Sequence, residues 1–115
     1  MTQPVTPMRV LGDGPSIDIV EGPGLATALV HPDMGALHRS MIRISLGPGS
    51  ATVAQRHDAD AVYFAISGTG AVGEPGADGH EPLVAGAMFH VDAGTEYVVA
   101  AGDDGLELVG GPVVA

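Results

Sequence analysis

The chain's chemistry rests on five histidines, two tyrosines and four arginines, because cysteine and lysine are absent. An imidazole is the side chain whose ordinary pKa lies nearest neutrality, so in a partly apolar setting it can exchange a proton without holding a metal. His57, which ends the polar stretch Gln55-Arg56-His57, is the first candidate for such work. His90 stands in the apolar stretch Ala87 to Val91 as a second candidate, facing either inward or solvent. Arg43 interrupts an apolar stretch, where a charge is costly unless it faces solvent, is paired, or anchors an anionic group such as a substrate carboxylate. His31, His38 and His80 fall in or near turns and are expected at the surface. The lack of cysteine removes disulfides, thiolate nucleophiles and cysteine-ligated metal. No glycine loop ends in lysine to cradle phosphate, no dinucleotide fingerprint opens a helix, and no serine sits at a nucleophile elbow.

The elements that must position these residues are short. With 115 residues and 11.5 kDa, one domain spanning 1–115 is expected. Glycine and proline cluster at Gly12 to Pro15, Glu21 to Gly24, Gly47 to Gly49, Gly68 to Gly70, Gly76 to Gly79, Gly102 to Gly105 and Gly110 to Pro112. Each cluster offers turn chemistry. Between them lie Ser16 to Val20, Leu25 to Val30, Arg39 to Leu46, Ala61 to Ser67, Ala87 to Val91, Glu96 to Ala101 and Leu106 to Val109. Many short segments between regular turns predict an all-β sandwich or barrel. Two longer stretches, Ala36 to Leu46 and Ser50 to Ser67, contain neither glycine nor proline and leave a helix open. Ile42, Ile44 and Leu46 alternate as in a strand, whereas Leu37, Met41 and Ile44 would suit a helix face. Val62 to Ile66 is a β-prone run, apolar on both faces.

The formal net charge of −10 repels phosphate backbones and anionic lipid, so neither nucleic acid nor a membrane is an expected partner. The first ten residues show no basic stretch leading into an apolar run, and the longest apolar run, Ala61 to Ile66, is far short of a membrane span. A cytoplasmic protein is the expectation.

The order of features from about residue 46 to 107 resembles the cupin superfamily of small double-sheeted β-barrels. Pro48-Gly49, Gln55-Arg56-His57, the run Ala61 to Ser67 and the closing Gly68-Thr69-Gly70 are similar to the first cupin motif. Gly86 to Tyr97, with Asp92-Ala93-Gly94 in place of a Pro-x-Gly turn, is similar to the second. The resemblance covers about half the chain and implies a single-domain, jelly-roll β-barrel. Most cupins hold a divalent metal with three histidines and a glutamate, and here those positions fall on Gln55, His57, Ala61 and Tyr97. An amide and a phenol are weak substitutes for such donors and a methyl group is none, so no metal and no other cofactor is expected. Asp60 stands one residue before the vacant acidic position. It substitutes only if the backbone bulges, since a one-residue shift turns a strand side chain to the opposite face.

If Ala61 occupies the inward family position, the two-residue strand period points Tyr63 inward as well. The resemblance then implies that Gln55, His57, Tyr63 and Tyr97 surround one cavity, with His57 as general base and either tyrosine as proton donor or oxyanion stabiliser. Gln55 could orient the imidazole or bind a carbonyl, and Arg43 or His90 could hold the substrate. The plainer reading has the tyrosines filling the barrel and His57 idle at its mouth. Three functions follow. One is a metal-independent proton-transfer enzyme acting on a small molecule (an isomerase, cyclase, dehydratase or lyase), similar to cupins that tailor bacterial natural products. A second is a non-catalytic ligand-binding or regulatory domain. The third is a metal-dependent oxygenase or lyase with an altered set, Gln55, His57, Asp60 and His90. Small cupins also pair through their sheets, so the resemblance implies a homodimer.

Overall fold

The computed structural model describes residues 14–30 and 41–112, which form strands and turns with no helix among them. The strands are β1 (Ser16–Ile17), β2 (Val20–Glu21), β3 (Gly24–Val30), β4 (Met41–Leu46), β5 (Ala51–Thr52), β6 (Ala61–Gly73), β7 (Glu81–Val84), β8 (Met88–Val91) and β9 (Val98–Pro112). The open question over 41–46 resolves as a strand. Ile42, Ile44 and Leu46 are buried while Met41 and Arg43 are exposed, a period of two that buries one face. A helix would have needed Met41 inside. Residues 36–40, with His31 and His38, lie outside the described residues.

β9 is the spine of the sheet. Along one edge it pairs with β4, from Ile42↔Gly110 to Leu46↔Leu106, and with β5. Along the other it pairs with β6 from Ala61↔Pro112 to Gly73↔Val98. β3 and β1 extend the sheet beyond β4, β2 pairs with β5, and β8 and β7 flank the first and second halves of β6. Every pairing is antiparallel, and the sheet curls over one core, giving the expected all-β jelly-roll. Ile44, Leu108, Val99 and Tyr63 are the largest fully buried side chains.

Three expected turns fall within long strands: Gly110 to Pro112 is the paired end of β9, and the other two are bends. At Gly68-Thr69-Gly70 and at residues 102–105 the ladder continues, but Gly68 pairs with Leu106 and Gly70 with Ala101. The extra residues of β9 bulge outward, leaving Asp103 and Asp104 exposed, and the ribbon changes direction there. Gly68 permits the crossing: its φ is +86°, and a Cβ would overlap the carbonyl oxygen of Gly105. The short strand β7 was not among the expected segments because Pro82 sits within it. Proline is tolerated there since β7 bonds only to β6.

The run Val62 to Ile66 is apolar on both faces, as its sequence reads. Ala61, Tyr63 and Ala65 enter the core, while Val62, Phe64 and Ile66 stay about 40% exposed beside Met88. Arg43 and Glu107 share that outer surface as an ion pair, Nε to Oε1 3.1 Å. No helix among the described residues is long and apolar enough to cross a membrane.

Candidate functional site

The site is assembled from the segment before β6 and the segment before β9. Gln55 and Tyr97 form an isolated antiparallel bridge, with Gln55 N–H donating to the Tyr97 carbonyl at 2.8 Å and Tyr97 N–H to the Gln55 carbonyl at 2.9 Å. Two residues on, Gly94 N–H donates to the His57 carbonyl at 2.8 Å. These bonds set Gln55 and His57 on one side of their segment and the exposed Arg56 on the other. Opposite them, Tyr63 rises from β6, directly across from Phe89 of β8. Their rings stack at 5.1 Å between centroids and 23° between planes.

The three chemically active side chains form a continuous hydrogen-bonded chain. His57 Nε2 lies 2.8 Å from Tyr97 Oη, and Tyr97 Oη lies 2.9 Å from Tyr63 Oη. With Nε2 unprotonated, Tyr63 donates to Tyr97 and Tyr97 to His57. With Nε2 protonated in the neutral ring, both bonds reverse. The chain therefore has two uncharged arrangements that differ only in the direction of its protons. His57, half-buried, is its outer end, while Tyr97 and Tyr63 are 2% and 1% exposed.

Burial sets the protonation of all three. Desolvation lowers the pKa of His57, so the imidazole is neutral at pH 7. Desolvation raises that of Tyr63, partly offset by its bond with Tyr97. Tyr97 is driven far above the usual phenol range by desolvation, and further by the charge and hydrogen bond of Tyr63. A free phenolate at Tyr97 is thus strongly disfavoured. Tyr97 can give up its proton only while receiving another, which is what a relay requires.

Gln55 adds a donor without an acceptor. Its Nε2 is the one buried side-chain polar atom among the described residues that lacks a partner, and such an atom costs stability unless something bonds to it. Ala61, at the remaining position of the motif, is buried and apolar. Gln55, His57, Ala61 and Tyr97 do not suit a tightly held divalent ion. The amide nitrogen is a donor, the imidazole nitrogen and the phenol are bound to each other, and alanine offers nothing.

The other candidates stand apart from the hydrogen-bonded chain of His57, Tyr97 and Tyr63. Arg43 projects from the outer face of β4 to Glu107. His90 projects outward from β8, with Nε2 3.2 Å from Asp60 Oδ2 and Nδ1 3.3 Å from Asp92 Oδ1. Asp60 does not bulge inward. Ala93 N–H donates to its Oδ1 at 2.9 Å, which with His90 holds its pKa below the usual carboxylate range despite an opposing contribution from desolvation. Gln55, His57, Asp60 and His90 therefore do not form one donor set: the cluster of three such donors among the described residues is Asp60, His90 and Asp92, all exposed. His80 is exposed, as expected, and its Nε2 lies 3.2 Å from the Glu74 carbonyl.

Reasoning from sequence missed a cleft of about 610 Å³ beside the relay. Tyr97, Phe89 and His90 line it; Gln55, His57 and Tyr63, expected around the same cavity as Tyr97, do not. Tyr97 is thus the member of the relay that meets the cleft, with Tyr63 behind Phe89.

No family model and no curated protein matches the sequence. Solved structures do match. A cupin-like protein from Thermotoga maritima superposes with a TM-score of 0.73 at 16% identity, covering 91% of this chain and 81% of that one. A cupin superfamily protein from Desulfitobacterium hafniense gives 0.69 at 18% identity, over 83% and 81%. A predicted oxalate decarboxylase from Thermotoga maritima gives 0.68 at 20% identity, over 90% and 94%.

Proposed function

The chain has a cupin fold, and from it we propose a metal-independent enzyme that moves a proton on a small molecule: an isomerase, cyclase, dehydratase or lyase. The observation that carries this reading is the Tyr97 hydroxyl held between His57 Nε2 and Tyr63 Oη at 2.8 and 2.9 Å. Substrate binds in the cleft against Tyr97, which exchanges a proton with a substrate oxygen or carbon. His57, at the outer end, supplies or removes the matching proton as its neutral ring switches tautomer or exchanges with solvent. Tyr63 stabilises the negative charge that builds on the Tyr97 oxygen during transfer, where exclusion of water strengthens a hydrogen bond. The fold neighbour described as an oxalate decarboxylase is not a guide to the reaction, because its likeness to this chain concerns the fold.

The test is solvent hydrogen exchange. Protein dialysed against chelator is incubated in D2O with a panel of small ketones and enols, with and without an amino group, and deuterium incorporation is followed by proton NMR. Exchange that survives chelation is expected. Exchange that vanishes with chelator and returns with a divalent ion overturns the reading, and exchange with no member of the panel favours the ligand-binding alternative. Tyr97→Phe, which breaks both bonds of the relay, should lower the rate more than Tyr63→Phe, which breaks one. About 10²-fold and about 10-fold are expected within the range for acid–base groups; steady-state rates on the same substrate check the order.

We propose that the molecule is a homodimer in which a second copy covers the outer face of Val62, Phe64, Ile66 and Met88. Exposed apolar side chains clustered on one sheet face mark an interaction surface, and a face that pairs with itself gives the two-fold symmetry commonest in oligomers. Light scattering should return twice the 11.5 kDa chain mass, and Phe64→Glu should return the single mass. A monomeric parent contradicts the assembly.

A further inference from the structure

The cleft beside Tyr97 has two kinds of wall. Its volume of about 610 Å³ lies within the roughly 300–1,000 Å³ usual for small-molecule sites. Val72, Leu83, Val91 and the rings of Phe89 and Tyr97 give it an apolar, partly aromatic floor. Its rim carries four carboxylates brought from different parts of the chain. Glu74 follows β6, Glu81 opens β7, Asp92 follows β8 and Glu96 precedes β9.

Asp92 is engaged by His90. Glu74, Glu81 and Glu96 have no ion-pair partner among the described residues. Arg56 lines an adjoining hollow with Glu74 and Glu96 yet forms an ion pair with neither. Three carboxylates outside any ion pair around an apolar hollow, on a chain of net charge −10, make a negative potential at the opening that the neighbouring Arg56 offsets only in part.

We infer that the cleft takes an organic cation, an amine or guanidine carried on an apolar body. The cationic head sits among Glu74, Glu81 and Glu96, and the body lies on Val72, Leu83 and Phe89. The aromatic faces of Phe89 and Tyr97 add a cation–π attraction for a head that settles deeper. Carboxylic acids and phosphate esters of the same size are disfavoured by the same charges. The inference rests on the reading that substrate meets Tyr97 in this cleft, and it supplies the class of that substrate.

A matched set of probes tests it on the full chain by NMR titration at low salt: phenethylamine, hydrocinnamate and phenethyl alcohol, alike in body and different in charge. The amine should bind about tenfold tighter than the carboxylate, the product of three exposed charge contacts each worth about twofold, with the alcohol between them. The preference should shrink as salt is raised, because exposed charges are screened. The double variant Glu74→Gln, Glu81→Gln should bind amine several-fold more weakly and the alcohol as before. Equal or tighter binding of hydrocinnamate overturns the inference, as does an amine that fails to saturate or that binds the double variant unchanged. Binding is read without turnover, so amine binding kept while solvent exchange is absent fails the proton-transfer reading alone, and solvent exchange kept while amine binding is absent fails the cation site alone.

Discussion

Replacing His57 by alanine is expected to lower turnover by about 10²–10⁴-fold, the span contributed by a positioned acid–base group, and to leave the barrel folded. The imidazole is half-buried and makes one side-chain hydrogen bond, to Tyr97. Tyr97 keeps its bond to Tyr63 and its backbone bridge to Gln55 when that ring is removed, so the stability cost stays near a single hydrogen bond, about 1 kcal/mol. The pH profile identifies the same group. In the folded protein desolvation lowers its pKa below that of an exposed imidazole, so the neutral ring that accepts a proton persists to lower pH than an exposed histidine would allow. Activity should be constant above neutrality and fall as pH drops through that lowered pKa. The acid limb of kcat/KM should be missing from whatever activity His57→Ala retains. Parental rates in both His57→Ala and Tyr63→Phe would show that the relay has no part in turnover.

How much of this was legible depends on which physical signal fixed each residue. Strand periodicity placed Tyr63 once the resemblance to cupin motifs had set Ala61 inward, because an inward residue 61 determines the face of residue 63. The same rule was available for Arg43. With Ile42 and Ile44 inward on β4, the arginine between them must face out, and it does. His90 could not be phased from its own strand, which has four residues. Its orientation follows from the pairing of Tyr63 with Phe89 and of Val62 with His90, a contact that local pattern does not contain. The meeting of Gln55 with Tyr97 was legible only through the resemblance to cupin motifs, since residues so far apart in the chain share no periodicity. The cleft was hidden for a related reason. Its carboxylates come from four segments, one of them opening β7, whose proline masked the strand, and an exposed glutamate has no sequence signature that separates a solvated group from a rim.

Gly110→Ala should be among the most damaging single-methyl changes at the described residues, and it reaches the site through the fold. Gly110 has φ +155° and lies opposite Tyr63 in the β6–β9 ladder. A Cβ there would overlap the Val62 carbonyl oxygen and stand 2.7 Å from Tyr63 Cα and 2.9 Å from Tyr63 Cδ1. Backbone strain of about 1–3 kcal/mol and overpacking of about 1–3 kcal/mol together predict a loss of roughly 2–5 kcal/mol, read from urea unfolding midpoints at unchanged slope. Such a loss is a large share of the roughly 5–15 kcal/mol of a small domain. The methyl group also has nowhere to go except by pushing the Tyr63 ring, whose other side is held by the stack on Phe89. The 2.9 Å bond from Tyr63 to Tyr97 is then the contact that gives. Folded Gly110→Ala protein should therefore turn over no faster than Tyr63→Phe while keeping the acid limb set by His57. A variant as stable as the parent, or one that unfolds more easily yet works at the parental rate, would mean that Tyr63 is not held in the relay by this close approach of strands.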